Sequence, residues 1–552
     1  MPDLDYWDIF PSIIGDTGFV LTLETLYKTS NEHIVALTKL FYLANHLVTQ
    51  GDNFGLSVIA CTFSLLVAAC FAKVLSRSAA GPLETVLLAT VAAVAVFTPM
   101  AAHNYFIGMS GVAWLGANCF AVASAALMML GAQRRSTLLI MLAGVAALCA
   151  GHMYSTGIVA MTVIGVQALL LRSTRRLGML YVALGIVYLA IVVMFQRVPE
   201  SHGERTFDFL ALIGFALTFL GAGLTTDSNL ALLWGGVGLA TFGWLVASDL
   251  QRSEGERGVD AFWIAIGIYV LMNAALAAIG RSGMGGSEAA MASRYASLPS
   301  LFWVAVLGLW LSQRNLAALR ESSQRWRVSG GTLLGVVLAA SVLITGQPRV
   351  ERLENRADGK QLATLAIRLG VRDDSVVIPR ITSAPDQLYS SLEHLRTIGH
   401  VPFNQPTPCP DVGQTVMVES ADVSRMVGHV DTASELDDGW YRLSGWALAP
   451  EDDAPPLQRN PESEARCLLL IDEDGRVLGM GLGGVPRPDV AKAYKRERNE
   501  YGWIGYARVP DVANGERTAY AAIPLGGGRW IRSPHGIRMP GPTPDESQIT
   551  PP

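Results

Sequence analysis

Apolar residues run almost unbroken through ten stretches in the first two-thirds of the chain, at 54–76, 83–102, 112–132, 137–151, 156–171, 177–195, 230–247, 261–279, 300–312 and 331–345. A helix needs about 20 mostly apolar residues to cross a bilayer, because lipid offers no partner for exposed backbone polar groups. Each stretch therefore predicts a span. An eleventh run, 207–224, is equally apolar. From Gln414 onward the pattern changes to period two with short turns. Residues 440–448 and 467–471 alternate as strands do, Asp474-Gly475 supplies a hairpin turn into 477–482, and 501–509 and 518–524 continue the series up to the turn at Gly526-Gly527-Gly528. The expected fold is a polytopic α-helical membrane protein, about ten spans plus one re-entrant segment, with a C-terminal β-sandwich domain.

Charge then sets the orientation. Only 16% of the 552 residues are charged, against about 25% in soluble proteins. The short connections 73–77, 133–135 and 172–176 are basic, and 313–327 carries Arg314, Arg320, Arg325 and Arg327. Such loops belong in the cytoplasm. All four can lie there only if one apolar run before residue 300 fails to cross, and 207–224 is the best candidate. The segment 281–295 and the C-terminal domain then fall outside the cytoplasm, as does 1–52. Nothing at Met1 reads as a basic, apolar signal sequence. The net charge of −5 gives no indication of nucleic-acid binding.

The exterior segments hold the candidate chemistry. In 34–48, Ile34, Leu37, Phe41, Ala44 and Val48 recur at helical spacing, with Lys39 and His46 off the stripe and Asn31 placed as N-cap. This predicts an amphipathic helix at the membrane surface. Two further outer segments are His103-Asn104-Tyr105 and Gly151-His152-Met153-Tyr154-Ser155. The richest is Gly280-Arg281-Ser282-Gly283-Met284-Gly285-Gly286, followed by Ala292-Ser293-Arg294-Tyr295. Glycines let backbone N–H groups approach an anion, and guanidinium forks pair with phosphate oxygens. Each residue also has a plainer reading. Arg281, Arg294 and Tyr295 can anchor helix ends at headgroup level. Glu32 can be a first-turn acid favoured by the helix dipole, His33, His103 and His152 ordinary boundary residues, and Asp16 an isolated acid. What unites them is one face of the membrane.

The stretches Asn31-Glu32-His33 with Lys39-Leu40, and Gly280-Arg281 … Ala292-Ser293-Arg294-Tyr295 … Phe302-Trp303, resemble bacterial membrane glycosyltransferases of the GT-C superfamily, in a subgroup with a C-terminal β-module. Ser155-Thr156-Gly157 is a looser match, and the likeness covers most of residues 1–345. The resemblance implies a polyprenyl-phosphate sugar as donor and transfer, with inversion, to an envelope glycan, lipid or protein on the outer face of the inner membrane. It implies Glu32 as the general base with Asp16 second, Arg281, Arg294, Tyr295 and Lys39 on the donor phosphate, and His33, His152 and Asn31 on the substrate. Relatives carry an initial span before the first exterior loop, and its absence here is the expectation. Some carry paired acids that ligate a divalent metal. Asn31-Glu32 is not such a pair, so no cofactor is assigned and a divalent metal stays open. The domains expected are 1–52, an exterior loop with interfacial helices; 53–347, a transmembrane GT-C-like domain; 348–413, an α/β connector; 414–540, the β-sandwich; and 541–552, a disordered tail.

In the C-terminal part, Ser444-Gly445-Trp446-Ala447, Arg487-Pro488-Asp489-Val490 and Gly502-Trp503 resemble a β-module attached to glycan-related bacterial proteins. Trp440, Trp446, Trp503 and Trp530 either stack on sugar or fill the core. Cys409 and Cys467 can pair if this part is extracytoplasmic, whereas Cys61, Cys70, Cys119 and Cys149 lie in apolar runs as core residues. Two other functions compete: an oligosaccharide ligase or polymerase with a lipid-linked donor, and a transporter or non-catalytic envelope scaffold. Transport calls for ionisable residues within spans or for repeated halves, and neither is evident.

Overall fold

The computed structural model describes the chain apart from residues 1, 3, 4, 16, 17, 31, 32, 80, 196–207, 253–257, 285, 314–329, 383, 384, 405–408, 419–426, 449–466, 497, 498, 510–516, 527 and 541–552. Two compact units are formed, Met1–Asn355 and Arg356–Pro552.

The first unit is a helical bundle. Its main helices are α1 (Ala36–Thr49), α2 (Asn53–Leu75), α3 (Pro82–Val96), α4 (Gly108–Arg134), α5 (Thr137–Met153), α6 (Ala160–Leu170), α7 (Arg175–Phe195), α8 (Phe209–Gly221), α9 (Ser228–Leu250), α10 (Gly258–Arg281), α11 (Ser297–Gln313) and α12 (Gly330–Thr345). Among the described residues, eight helical segments are long and apolar enough to cross a membrane: Asn53–Ser78, Pro82–Phe106, Gly108–Arg134, Arg172–Val192, Ser228–Leu250, Gly258–Arg281, Ser293–Gln313 and Gly330–Leu353. The chain is thus built as a multi-pass membrane protein. Three further apolar helices are shorter, Thr137–Met153, Ser155–Leu170 and Phe209–Gly221. The first two match expected spans. The third is 13 residues, or about 20 Å at 1.5 Å per residue, well short of a ~30 Å hydrocarbon core.

Glycines let these helices touch. A Cβ at Gly165 would meet Val182 and one at Gly185 would meet Thr162, which fixes α6 and α7 as a close antiparallel pair. Gly221 and Gly235 do the same for α8 and α9, against Ala231 and Leu217.

The bundle has two chemically different ends. At one, Arg77 donates to Gln133 (3.4 Å), Ser173 to the Ala132 carbonyl (3.2 Å) and Arg252 to the Gln313 carbonyl (2.6 Å). Lys73, Arg134, Arg135, Arg172, Arg175 and Arg176 flank the same connections. At the other end, Asn53 donates to the Phe106 carbonyl (2.9 Å) and accepts from the Gly108 amide (3.0 Å), while Trp303 donates to Leu220 O (3.0 Å). Both α7 and α8 finish at this second end: Tyr188 of α7 stacks near His152, and Phe219 of α8 near Tyr295.

The helix α1 is amphipathic. Its polar residues are the buried ones. Thr38 donates to Met153 O at the C-terminal end of α5 (2.6 Å), while Tyr42 donates to Met109 O (3.0 Å) and Asn45 to Asp52 O (3.0 Å) at the starts of α4 and α2. Leu40, Ala44, Leu47 and Val48 face outward, Leu47 at 71% and Val48 at 83% exposure. Of the predicted stripe, Ala44 and Val48 are exposed, whereas Leu37 and Phe41 are half-buried, Phe41 against Phe63 at 5.2 Å.

In the second unit the strands are β1 (Met417–Val418), β2 (Val427–Glu435), β3 (Trp440–Leu448), β4 (Cys467–Ile471), β5 (Val477–Val485), β6 (Gly502–Arg508), β7 (Arg517–Gly526), β8 (Arg529–Arg532) and β9 (Ile537–Met539). They form one sheet in the order β1-β8-β7-β4-β5-β6-β3-β2, with β9 also paired to β7. β9 lies against β2, so the sheet curls until its ends meet. A two-sheet sandwich was expected. Alternation does identify the inward face, where Leu443, Ala447, Leu468, Leu470, Trp503 and Ile531 make the core, but it does not distinguish one curled sheet from two stacked ones. A helical part is tied to the outer face by the nearly buried Asp373. Its carboxylate accepts from Arg442 (2.9 Å), Tyr506 (2.9 Å) and Ser375 (2.6 Å).

Candidate functional site

The sequence places residues 280–295 next to a helix start, and the structure builds that start as a tethered turn. The 3-10 turn Ser293–Tyr295 leads directly into α11. The buried Asn104 donates to Arg294 O (2.9 Å), and Ser293 Oγ donates to Met100 O (2.7 Å) while accepting from the His103 amide (3.3 Å). These bonds hold the turn against Pro99–Ala101 and leave the Arg294 side chain exposed, with its guanidinium 5.2 Å over the Tyr295 ring. The face of an aromatic ring attracts a cation and so favours this orientation.

From Arg294 a row of rings crosses this end of the bundle. Tyr295 lies 5.3 Å from Trp114, Trp114 lies 4.7 Å from Tyr154, and Tyr154 lies 4.3 Å from His33. Backbone bonds in both directions between Ser30 and His33 (3.1 and 2.9 Å) close the turn that presents His33. The structure thus brings three of the expected site residues, His33, Arg294 and Tyr295, to one surface. Asn31, Glu32 and Asp16 lie outside the described residues.

Other expected residues sit elsewhere. Lys39 is 1% exposed and donates to Thr25 O (2.7 Å) and Lys28 O (2.8 Å). Burial first, and then the Lys28 charge, pushes it down to about 8. Its ammonium fastens the chain ahead of the His33 turn. His152 contacts Tyr27 Oη (3.1 Å) and Leu148 O (2.8 Å) through its two ring nitrogens, apart from the His33–Tyr295 row. Arg281 is the half-buried last residue of α10.

The ring row and one carboxylate were not singled out from the sequence. Trp114 is hidden inside an apolar run, and Tyr154 stood only as one member of an outer segment. Asp5 lies within electrostatic reach of both Arg294 and Tyr42. It begins a packed N-terminal segment in which Tyr6, Trp7 and Phe10 are fully buried, Tyr6 against Tyr42 at 4.9 Å. Nearby, burial and the Asp5 charge push the Asp8 carboxyl up to about 6. Among the described residues no group of three or more His, Cys, Asp or Glu side chains is placed to hold a metal.

A groove of about 480 Å³ opens at the side of the bundle between α9 and α12, floored by α3 and α11. It is apolar nearly throughout, and Trp234, Trp244, Trp303 and Trp310 line it. Trp244 is 64% exposed, so the groove opens on the flank of candidate spans. Its upper end reaches Gly223 and Ser300, the latter in the first turn of α11 beyond Tyr295.

In the second unit, three of the four candidate sugar-stacking tryptophans are buried: Trp440, Trp503 and Trp530. Trp446 is half-buried, 5.5 Å from Tyr494. Cys409 is disulfide-bonded, and Cys61, Cys70, Cys119 and Cys149 are free.

No family model, curated protein or solved structure matches this chain.

Proposed function

We propose that the protein is a GT-C-type membrane glycosyltransferase that moves a sugar from a polyprenyl-phosphate donor to an envelope glycan, lipid or protein. The observation that carries this reading is the tryptophan-lined groove, which opens on the flank of the bundle and reaches Ser300, in the first turn of the helix that the Arg294–Tyr295 turn leads into. A substrate with a long apolar chain and an anionic head needs that sequence of surfaces, and a water-soluble sugar nucleotide does not.

In this reading the prenyl chain lies in the groove and Arg294 faces the phosphate. His33 and Tyr154, the half-buried members of the row, wall the sugar with Trp114 and Tyr295 packed behind them, because aromatic faces suit the C–H faces of a pyranose or furanose. An exterior carboxylate, Glu32 or Asp16, takes the proton of the acceptor hydroxyl as its oxygen attacks the anomeric carbon. The bond from that carbon to the phosphate oxygen breaks, and its electron pair leaves with the polyprenyl phosphate, whose growing charge Arg294 stabilises. Asp5 is a further carboxylate at this surface.

Orientation follows from the two ends. The Lys/Arg-rich end belongs in the cytoplasm, which sets the site on the outer face. The 13-residue α8 then acts as a half-span, since α7 and α8 finish at one end. The last span α12 also ends there, where Thr345 donates to Leu224 O (3.4 Å), so the C-terminal unit follows on the outer side. The Cys409 disulfide suits such an oxidising compartment.

The test is turnover of polyprenyl-phosphate hexoses by the purified protein, read by mass spectrometry of the lipid fraction. Release of free polyprenyl phosphate should stop in Glu32→Gln and fall strongly in Arg294→Ala. Full release from both variants would remove this site, and no binding of any such lipid would leave a scaffold as the better reading.

A further inference from the structure

The Arg294 turn is held by a residue from a distant part of the chain. Arg349, beyond the end of α12, is half-buried and uses two nitrogens of one guanidinium. Nη1 donates to Met100 O (2.8 Å) and Nη2 to Met291 O (2.9 Å). Met100 belongs to the Pro99–Ala101 turn, and Met291 lies just ahead of the Ser293–Tyr295 turn. Met100 O also accepts from Ser293 Oγ (2.7 Å). One carbonyl therefore receives both the guanidinium and the hydroxyl of the turn that carries Arg294, and its two lone pairs are filled.

We infer that Arg349 is a positioning residue for the donor-phosphate site: its fork joins the Met100 and Met291 carbonyls and thereby fixes where Arg294 stands. This inference rests on the reading of Arg294 given above. The turn is three residues long, and its own backbone bonds, from the Tyr295 amide to Ala292 O (2.9 Å) and from the Ala296 amide to Ser293 O (3.2 Å), are local, so its place against the bundle is set by the side chains that tie it down. Asn104 holds it at Arg294 O, Ser293 at Met100, and Arg349 spans the remaining gap from Met100 to Met291. A planar fork with fixed spacing can bridge two carbonyls at once, whereas a lysine ammonium on a flexible stem cannot hold both in the same geometry. Arg349 acts through Arg294, and no role in touching substrate is assigned to it.

The experiment compares binding of geranylgeranyl phosphate with geranylgeraniol to the purified full chain, followed by fluorescence of the groove tryptophans. The alcohol reports the groove alone, and the ratio of the two affinities reports the phosphate site. In the wild-type protein the phosphate should bind more tightly. Arg349→Lys and Arg349→Met should each lose about tenfold of that preference, with alcohol binding unchanged. Ser293→Ala removes a single hydroxyl from the same carbonyl and should move the ratio in the same direction, which keeps the test valid if Arg349→Met fails to fold. If alcohol and phosphate binding fall together, Arg349 only supports the fold and the inference is overturned. If Arg294→Ala abolishes the preference while the Arg349 and Ser293 variants keep it, the inference fails and the site survives. If the wild-type protein shows no preference for phosphate, the reading of Arg294 fails and the inference goes with it.

Discussion

Filling the groove from α12 tests the lipid-donor reading most directly. Ala339 lines the groove with Leu338 and Val342, one turn above Gly335, and is half-buried. Ala339→Leu adds about three carbon atoms to the space a prenyl chain would take. Leucine is a good helix former, so the helix itself should not suffer. Each displaced methylene is worth roughly 0.8 kcal/mol of burial, so the chain loses about 2.4 kcal/mol, an affinity drop on the order of 50-fold. That is an upper figure, since a flexible prenyl chain can shift within about 480 Å³. The next residue, Ala340, is exposed and does not line the groove, which makes Ala340→Leu the matched control. The assay is titration of geranylgeranyl phosphate against tryptophan fluorescence in detergent, with Trp303 and Trp234 as reporters. Affinity of Ala339→Leu within about threefold of wild type would refute the reasoning, as would an equal loss in Ala340→Leu.

Two further predictions concern stability. Asp373 is nearly buried and is shared by Arg442, Tyr506 and Ser375, so Asp373→Asn leaves Arg442 facing an amide and should cost about 3–5 kcal/mol. Hydrogen exchange on the full chain should show lost protection in Asp374–Arg380 and the strand β6, and unchanged protection there would exclude this lock. In the N-terminal segment the folded Asp8 titrates at about 6 against an unfolded value of 3.8, because burial, aided by Asp5, disfavours its charge. A raised carboxyl contributes stability that is complete below the unfolded value and lost as pH rises through about 6. Proteolytic cleavage within the first 30 residues should therefore increase between pH 4 and pH 7, and Asp8→Asn should flatten that dependence; a wild-type profile without slope would contradict the assignment.

How much of this was legible in the sequence depended on whether the signal was local. The spans read well because lipid imposes a length and a composition on each helix separately. The clustering of the basic loops was legible for the same reason, since Lys73, Arg134 and Arg172 mark one end of the bundle one loop at a time. Arg294, Tyr295 and His33 could be named because they stand in short polar segments between apolar runs. Trp114 could not, because an indole in a span has no local mark that separates a ligand-facing ring from a packed one. Arg349 was invisible for a different reason: its partners Met100 and Met291 are backbone carbonyls, which leave no trace in side-chain identity.

The helix α1 shows where periodicity stops being informative. The spacing of Leu37, Phe41, Ala44 and Val48 predicts an apolar face, but not what that face meets. Placed in water, a helix buries its apolar side against the protein. At a membrane surface the apolar solvent lies outside, and the protein's own helix ends present unsatisfied carbonyls. Thr38 satisfies such a group at Met153 O, and Lys39, Tyr42 and Asn45 donate to further backbone carbonyls, so the polar face turns inward and Leu47 and Val48 turn out. The inward polar face also holds Lys39. The family resemblance implies it as a donor-phosphate residue, and in the structure its ammonium donates to Thr25 O (2.7 Å) and Lys28 O (2.8 Å), close to the turn that presents His33. Hydrophobic pattern fixes the faces of a helix, and only the surrounding solvent decides which of them carries the chemistry.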